Sequence, residues 1–291
     1  MVSRDDDLDQ LLQLHAHLLA RPAGVYLDRY AQPCRHPGGL YSQSLGKVLT
    51  RMRALTETFP PGTRDPNTLN QSWPTVMAAL ETLLIAVDSH ADDLKNIVAA
   101  TVKPDKKALR TLGDQIDGIF SELAGRPVNR VKHNQERFEC CYCYSPRFAV
   151  YGYFVAGIRS DGVVAPSEKA HGNSGKHWSF SVTLRRLLGQ VIQAARLILT
   201  HVRNGLILPS STWPDQQRSE LVAIAAWLER CAPFCFPNEV TGRVPNVGLR
   251  EVQPYVRLDT LKKIRSVHSQ PGVAWSRSFT GDGITRTFAV D

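Results

Sequence analysis

The sequence lacks any hydrophobic run long enough to cross a membrane. Its most apolar stretches, at 83–87 and 221–228, are far shorter than the ~20 residues that a bilayer-spanning helix requires. The first residues include three consecutive aspartates and no apolar segment, which is unlike a secretory signal peptide. These absences predict a cytoplasmic protein with no membrane partner, in which the six cysteines are reduced.

Motifs of the familiar enzyme classes are also missing. We find no Gly-x-Ser-x-Gly turn, no dinucleotide-binding glycine pattern, no kinase motif set and no His-Glu-x-x-His. The segment at 172–176 is similar to a phosphate-binding loop, but Ala170 stands where its first glycine belongs and His177 replaces the Ser or Thr. The sequence therefore predicts no cofactor and favours a divergent enzyme or a binding protein over an enzyme of a familiar class.

Negative charge is scarce in the last two thirds of the chain. The net charge of the 291 residues is +8, yet residues 1–100 hold 9 basic and 11 acidic side chains. Residues 101–291 hold 26 basic and 16 acidic side chains. Any surface that binds a polyanion is therefore expected in that later part.

Hydrophobic periodicity predicts an α+β fold that is predominantly α. Period-2 patterns on either side of Ser145 and Pro146 predict a β-hairpin at 139–157, and the turn at 280–283 predicts a second hairpin. The expected architecture is a helical bundle with an inserted β-hairpin and a small C-terminal β-containing region. Apolar residues at helical spacing predict helices over about 8–19, 40–57, 74–101, 104–123, 181–203 and 216–231.

Stretches rich in proline and glycine suggest where the helices end. Residues 60–72 and 158–178 are predicted to be loops, Ser72 caps a helix that has Pro74 in its first turn, and Gly125 and Pro127 end another. A short polar helix then runs to about residue 138. We expect three regions packed as one unit: an N-terminal helical region 1–72, a helical core 73–205 and a C-terminal region 206–291.

The segment 125–138 contains the main candidate site. Arg126 and His133 are seven residues apart, or about two helical turns, so they share a face if one helix includes both. Asn129 and Arg130 precede His133 by four and three residues and join that face. This spacing predicts a cationic, hydrogen-bonding stripe around one histidine.

These residue types suit chemistry on a phosphodiester. Histidine can move a proton to or from a ribose hydroxyl or a leaving oxygen near neutral pH. Arginine grips phosphate with a planar fork and stabilises developing negative charge, and asparagine can orient either group. The alternative is a solvated basic helix whose Arg and His side chains pair with local carboxylates such as Glu136.

The segment from Asn129 to His133, Asn-Arg-Val-Lys-His, together with Arg126, resembles the HEPN superfamily of helical proteins. That family is marked by an Arg and a His with four to six residues between them near the start of a late helix, and Arg126 and His133, with six residues between them, have the longest of those spacings. The resemblance covers about residues 74–205. This chain departs from the family pattern at Pro127, where a polar residue is usual, and in the hairpin that follows the motif.

The resemblance implies a metal-independent endoribonuclease of a bacterial toxin or antiviral defence system. His133 would be the general acid and base, Arg126 would hold the scissile phosphate, and Asn129 and Arg130 would orient the groups. Such proteins commonly pair two of these helices in a homodimer, and a protein partner in a multi-component system is also expected. RNA or another nucleic acid would be the ligand, with contacts expected from Lys132, Arg137, Lys176, His177, Arg185 and Arg186.

Two alternatives remain open on the sequence. The first is a non-catalytic scaffold that binds nucleic acid or a partner protein through its basic surface. The second concerns the cysteines, because four thiolates can hold zinc. We expect no metal, since two residues three apart on a β-strand point to opposite faces and the two cysteine pairs lie far apart in the chain. These pairs are Cys140 with Cys143 and Cys231 with Cys235.

Overall fold

A computed structural model describes most of the chain, and its fold is α+β with helices predominating, as predicted. One hydrophobic core runs through it, with buried members from Leu8 near the N-terminus to Val256. The described residues are 7–20, 36–58, 66–101, 105–134, 136–144, 149–158, 164–171, 177–202, 213–231, 234–236, 239, 244–250, 253–262, 265–266, 275–279 and 285–289.

The helices form the larger part of the structure. Helix α1 packs on α2 and α7, α2 packs on α3 and α8, and α3 packs on α4. No helix among the described residues combines the length and the apolar character needed to cross a bilayer. The helices are α1 Asp9–Leu19, α2 Pro37–Thr58, α3 Pro66–Thr101, α4 Lys106–Phe120, α5 Arg126–Asn134, the single turn α6 Glu168–His171, α7 Phe180–Val202 and α8 Asp215–Arg230.

The predicted hairpin is confirmed as an antiparallel pair in which Cys140 lies opposite Tyr153. The C-terminal hairpin is confirmed as well, and it pairs with the first one to build a single sheet in the order β10-β9-β1-β2-β3, with β4 also on β2. The strands are β1 Arg137–Tyr144, β2 Ala149–Ile158, β3 Val164–Pro166, β4 Trp178–Ser179, β5 Phe234–Cys235, β6 Val244–Arg250, β7 Gln253–Lys262, β8 Arg265–Ser266, β9 Trp275–Phe279 and β10 Thr285–Ala289.

Helix α3 begins earlier than predicted. It starts at Pro66 and carries Pro74 in its interior, so part of the predicted loop 60–72 is helical, and the expected boundary at 72 falls inside one helix. Proline disfavours a helix interior because it lacks an N–H group. Here Trp73 and Val76 are buried in the core, and this packing outweighs the local preference of Pro74.

The predicted loop 158–178 also contains regular structure. Strand β3 pairs with β2, α6 follows at once, and β4 pairs with β2 at Gly152 and Tyr153. Two short strands and one helical turn carry too few residues for a periodic pattern, so polar composition alone predicted a loop here.

A buried carboxyl group joins β4 to the segment after β5. Glu239 is 2% exposed, and its two oxygens accept hydrogen bonds from the backbone N–H groups of Ser179 and Phe236, both at 3.0 Å. Burial raises the pKa of Glu239 to about 7 despite these two donors. The carboxyl group is therefore neutral in the folded protein at mildly acidic pH.

This pKa predicts that part of the free energy of unfolding is lost as the pH rises from about 4.5 to about 7. In that range the folded state binds the proton of Glu239 and the unfolded state does not, so the stabilisation is full below the range and gone above it. The loss is roughly 3–4 kcal/mol at about 1.4 kcal/mol per pKa unit.

Chemical denaturation of the protein and of Glu239→Gln at a series of pH values measures the effect. The variant should lack this component of the pH dependence. Burial also lowers the pKa of His90 to about 4, and the pH dependence that results from His90 is the same in both proteins. Identical pH profiles for the two proteins would show that Glu239 does not titrate in this range.

Candidate nucleic-acid interface

The helix that carries the predicted site begins directly after a π-helical turn at Ser121–Gly125. The backbone N–H of Arg126 donates to the carbonyl of Ser121, five residues earlier. Pro127 has no N–H to donate, and its ring would crowd a carbonyl in a regular α-helix. The wider π turn makes room for the ring. The predicted break at Gly125 and Pro127 is therefore wrong, and the chain continues from α4 into α5.

Helix α5 includes both Arg126 and His133, which places them on one face. Asn129 lies between them, and all three side chains are exposed. The opposite face buries Pro127 and Val128 against the core. Within the described part of the chain, no hydrogen bond or ion pair engages these three exposed side chains, so they are open to a ligand.

One side of this face is bordered by an ion pair to α3. The ammonium of Lys132 lies 3.4 Å from a carboxylate oxygen of Asp88, and both side chains are partly exposed. Asp88 also lies next to Gly125, where a Cβ would be 3.7 Å from its other oxygen. Part of the positive charge that the sequence predicted at Lys132 is thus offset by a carboxylate 44 residues earlier in the chain.

The other side of this face of α5 is bordered by three polar side chains that are linked to one another by hydrogen bonds. The guanidinium of Arg130 pairs with the carboxylate of Glu136, which also accepts a 3.1 Å hydrogen bond from the hydroxyl of Ser167. The Arg130 and Glu136 side chains are 21% and 10% exposed. Glu136 raises the pKa of Arg130 through this hydrogen bond and its charge. Arg130 therefore holds the end of α5 against the segment that precedes α6. This pairing with Glu136 agrees with the alternative interpretation, in which the basic side chains of the helix pair with local carboxylates.

Arg137 lies outside the helix. Helix α5 ends at Asn134, four residues short of the predicted end, and Arg137 is the first residue of β1. Its side chain is half exposed and its Nε lies 2.5 Å from a carboxylate oxygen of the buried Glu139, two residues along the same strand face. The prediction that the polar helix runs to about residue 138, and so includes Arg137, is therefore wrong.

The two predicted arginines of α7 differ sharply. Arg185 is 3% exposed, and its guanidinium donates to the carbonyl of Val247 at 3.2 Å and to that of Leu228 at 2.5 Å. Burial lowers the pKa of Arg185. A buried guanidinium is closed to a surface ligand, so the prediction of Arg185 as a nucleic-acid contact is corrected. Arg186 is partly exposed and lies 4.0 Å from Glu122, on the π turn that leads into α5.

The predicted contacts before α7 are only partly described. Lys176 lies outside the described residues. The ring of His177 packs against Phe154 and Phe236, with ring centroids 5.4 and 5.6 Å away. Burial lowers the pKa of His177 to about 4, so it is neutral near pH 7. Any contact of His177 with a nucleic acid would therefore be made by a neutral ring that packs between two phenylalanines.

Residues outside the motif complete the surroundings of α5, and sequence reasoning missed them. Asp88 on α3 and Ser167 before α6 are both far from α5 in the chain, and neither belongs to a motif. The sequence signal for such partners is a carboxylate close to the basic residues in the chain, and this signal identifies Glu136 but neither Asp88 nor Ser167. Across the described residues, no group of three or more His, Cys, Asp or Glu side chains is arranged to hold a metal.

Comparison with protein-family models, with curated proteins and with solved structures finds no match to this chain. The chain is a predominantly helical α+β protein that presents an exposed Arg126, Asn129 and His133 on one helix.

Proposed function

We propose that this protein is an RNA-directed protein of HEPN-like type that cleaves RNA without a metal at the exposed face of α5. The observation that carries the proposal is the common face of Arg126, Asn129 and His133, exposed and unengaged within the described residues. A toxin or antiviral defence role would follow from such an activity.

Electrostatics favours an anionic group over a neutral one at Arg126. The surrounding basic side chains are in ion pairs: Lys132 with Asp88, Arg130 with Glu136 and Arg137 with Glu139. Arg126 lacks such a carboxylate within the described residues, so it keeps its full charge for a phosphate. A helical Arg at this position also lies on a rigid element, which lowers the entropy lost when the phosphate binds.

The chemistry requires only groups that this face and the RNA supply. His133 takes the proton of the ribose 2′-hydroxyl or returns one to the departing 5′-oxygen, and Arg126 stabilises the charge on the phosphate between them. Helical side chains lean toward the N-terminus, so His133 leans toward Asn129, whose amide can orient the imidazole or the phosphate. The 2′-oxygen bonds to phosphorus as the 5′-oxygen leaves, which produces a 2′,3′-cyclic phosphate.

One histidine per chain can serve only one proton transfer at a time. A second copy of α5, brought close in a homodimer, would supply the second group. A non-catalytic protein that binds RNA through the same basic face is the remaining candidate, and it is favoured by the same unengaged Arg126.

Incubation of the purified protein with single-stranded RNA in excess EDTA tests the proposal. We expect cleavage to continue without divalent metal, products to end in 2′,3′-cyclic phosphate, and a DNA strand of the same sequence to remain intact. Cleavage that requires added Mg²⁺, or that acts equally on DNA, would contradict the mechanism.

Arg126→Ala should weaken RNA binding by about tenfold, because one charge-assisted contact to phosphate is lost. Arg110→Ala is the matched control, since Arg110 is an exposed arginine about 24 Å earlier along the same run of helix. Fluorescence anisotropy with labelled RNA measures both variants. Equal losses for the two variants would mean that RNA binds through diffuse charge and not through α5.

A further inference from the structure

The single turn α6 lies against α5, and it is fixed there from several directions. Ser167, directly before the turn, donates through its hydroxyl to Glu136 and accepts from the backbone N–H of Ala170 at 3.3 Å. The backbone of Ser167 also bonds to Val155 on β2 at 2.8 Å. The base of the turn is therefore tied both to the Arg130 and Glu136 pair and to the sheet.

The far end of α6 is anchored as well. His171 is 4% exposed, its Nε2 accepts a 2.8 Å hydrogen bond from the backbone N–H of Val155, and its ring lies 4.0 Å from that of Trp178. Ala170 is buried beside it. With both ends fixed, the backbone of α6 has a defined position relative to α5, although the surrounding sequence was expected to be a polar loop.

One side chain of this turn points into solvent. Lys169 is exposed, and no side chain that the structure describes forms a hydrogen bond or ion pair with it. This separates it from Lys132, Arg130 and Arg137, whose charges are offset by carboxylates. Lys169 follows Ser167 by two residues, and Ser167 shares the Glu136 carboxylate with Arg130, so the turn that carries Lys169 lies next to α5.

We infer that α6 is a second wall of the same surface and that Lys169 binds a backbone phosphate of the RNA strand that lies along α5. The inference rests on the proposed function, since it assigns a further contact to the same ligand. An ammonium acts as a point charge on phosphate and does not read bases. Lys169 should therefore add affinity and salt dependence without sequence preference.

The test measures RNA affinity by fluorescence anisotropy with labelled single-stranded RNA across a series of salt concentrations. Lys169→Ala should weaken binding about fivefold at low salt, and Lys169→Glu should weaken it further. The slope of log K against log salt should fall in magnitude by about 0.7, the value for one phosphate contact on a single strand. Lys169→Arg should bind like the unmodified protein, and circular dichroism confirms that the variants are folded.

Lys107→Ala is the matched control, because Lys107 is an exposed lysine about 28 Å along the helix from Arg126. If Lys169→Ala and Lys107→Ala bind alike while Arg126→Ala is weakened, the inference fails and the proposed function stands. If Lys169→Ala is weakened and Arg126→Ala is not, RNA does not lie along α5 and the proposed function fails. Absence of RNA binding by the unmodified protein overturns both.

Discussion

Replacing His133 with alanine is expected to slow RNA cleavage about a thousandfold, within the range usual for loss of a general acid or base. His133 is exposed and makes no hydrogen bond or ion pair within the described part of the chain. The melting temperature should therefore change by less than about 2 °C, as for an ordinary surface substitution. RNA affinity should stay within about twofold, because Arg126 remains in place.

His201→Ala is the control for this variant. His201 is an exposed histidine at the end of α7, and its Nδ1 bonds to the carbonyl of Leu197 and to the hydroxyl of Thr200 on its own helix. Its loss should leave cleavage unchanged. If His133→Ala cuts RNA as fast as the unmodified protein, His133 is not the proton-transfer group. If the unmodified protein binds RNA and never cuts it, the non-catalytic alternative is correct.

Gly152→Ala is expected to cause a large loss of stability, because the sheet has no room for a methyl group at this position. A Cβ at this position would lie 2.0 Å from the carbonyl oxygen of Trp178 and 2.6 Å from the ring of Phe236. Because the first contact is with the backbone of β4, the strand itself would have to move. We expect a loss of about 4 kcal/mol, beyond the usual range for overpacking, measured by urea denaturation.

Gly118→Ala is the opposite case. Gly118 lies in α4, and a Cβ there would meet no atom within 4 Å. The alanine should stabilise the helix by about 0.5–1 kcal/mol, since it restricts the unfolded chain. A Gly152→Ala protein with the same denaturation midpoint as the unmodified one would mean that β4 does not approach β2 as closely as described.

Long periodic elements are the part of this fold that the sequence predicts well. The helices α2, α7 and α8 and the hairpin of β1 and β2 follow their apolar patterns within a few residues of the predicted bounds. The elements that were missed depend on tertiary contacts. Pro74 is held in a helix by neighbours in the core, and α6 exists because Ser167 and His171 reach other elements.

In the candidate site, too, the sequence predicts the features that depend on helical spacing and misses those that depend on tertiary contacts. The common face of Arg126, Asn129 and His133 follows from helical spacing, so the sequence predicts it once the helix is known to include all three. Which cations are paired depends on partners that no local pattern identifies, as with Asp88 for Lys132. Arg185 and Arg186 are adjacent in the sequence, and only the tertiary contacts of Arg185 with the carbonyls of Val247 on β6 and Leu228 on α8 show that the first is buried.

The π turn at Ser121–Gly125 has a consequence for how this chain would be aligned with others. A π turn holds one residue more than the α-helical turn it replaces, and the flanking helical segments keep their orientation. A homologue with one residue fewer at this point would present its Arg and His on the same face as Arg126 and His133. In an ungapped alignment, its arginine would fall in a neighbouring column. A sequence alignment that allows a single-residue gap in the 121–125 segment would therefore bring the Arg and His of such a homologue into the same columns as Arg126 and His133.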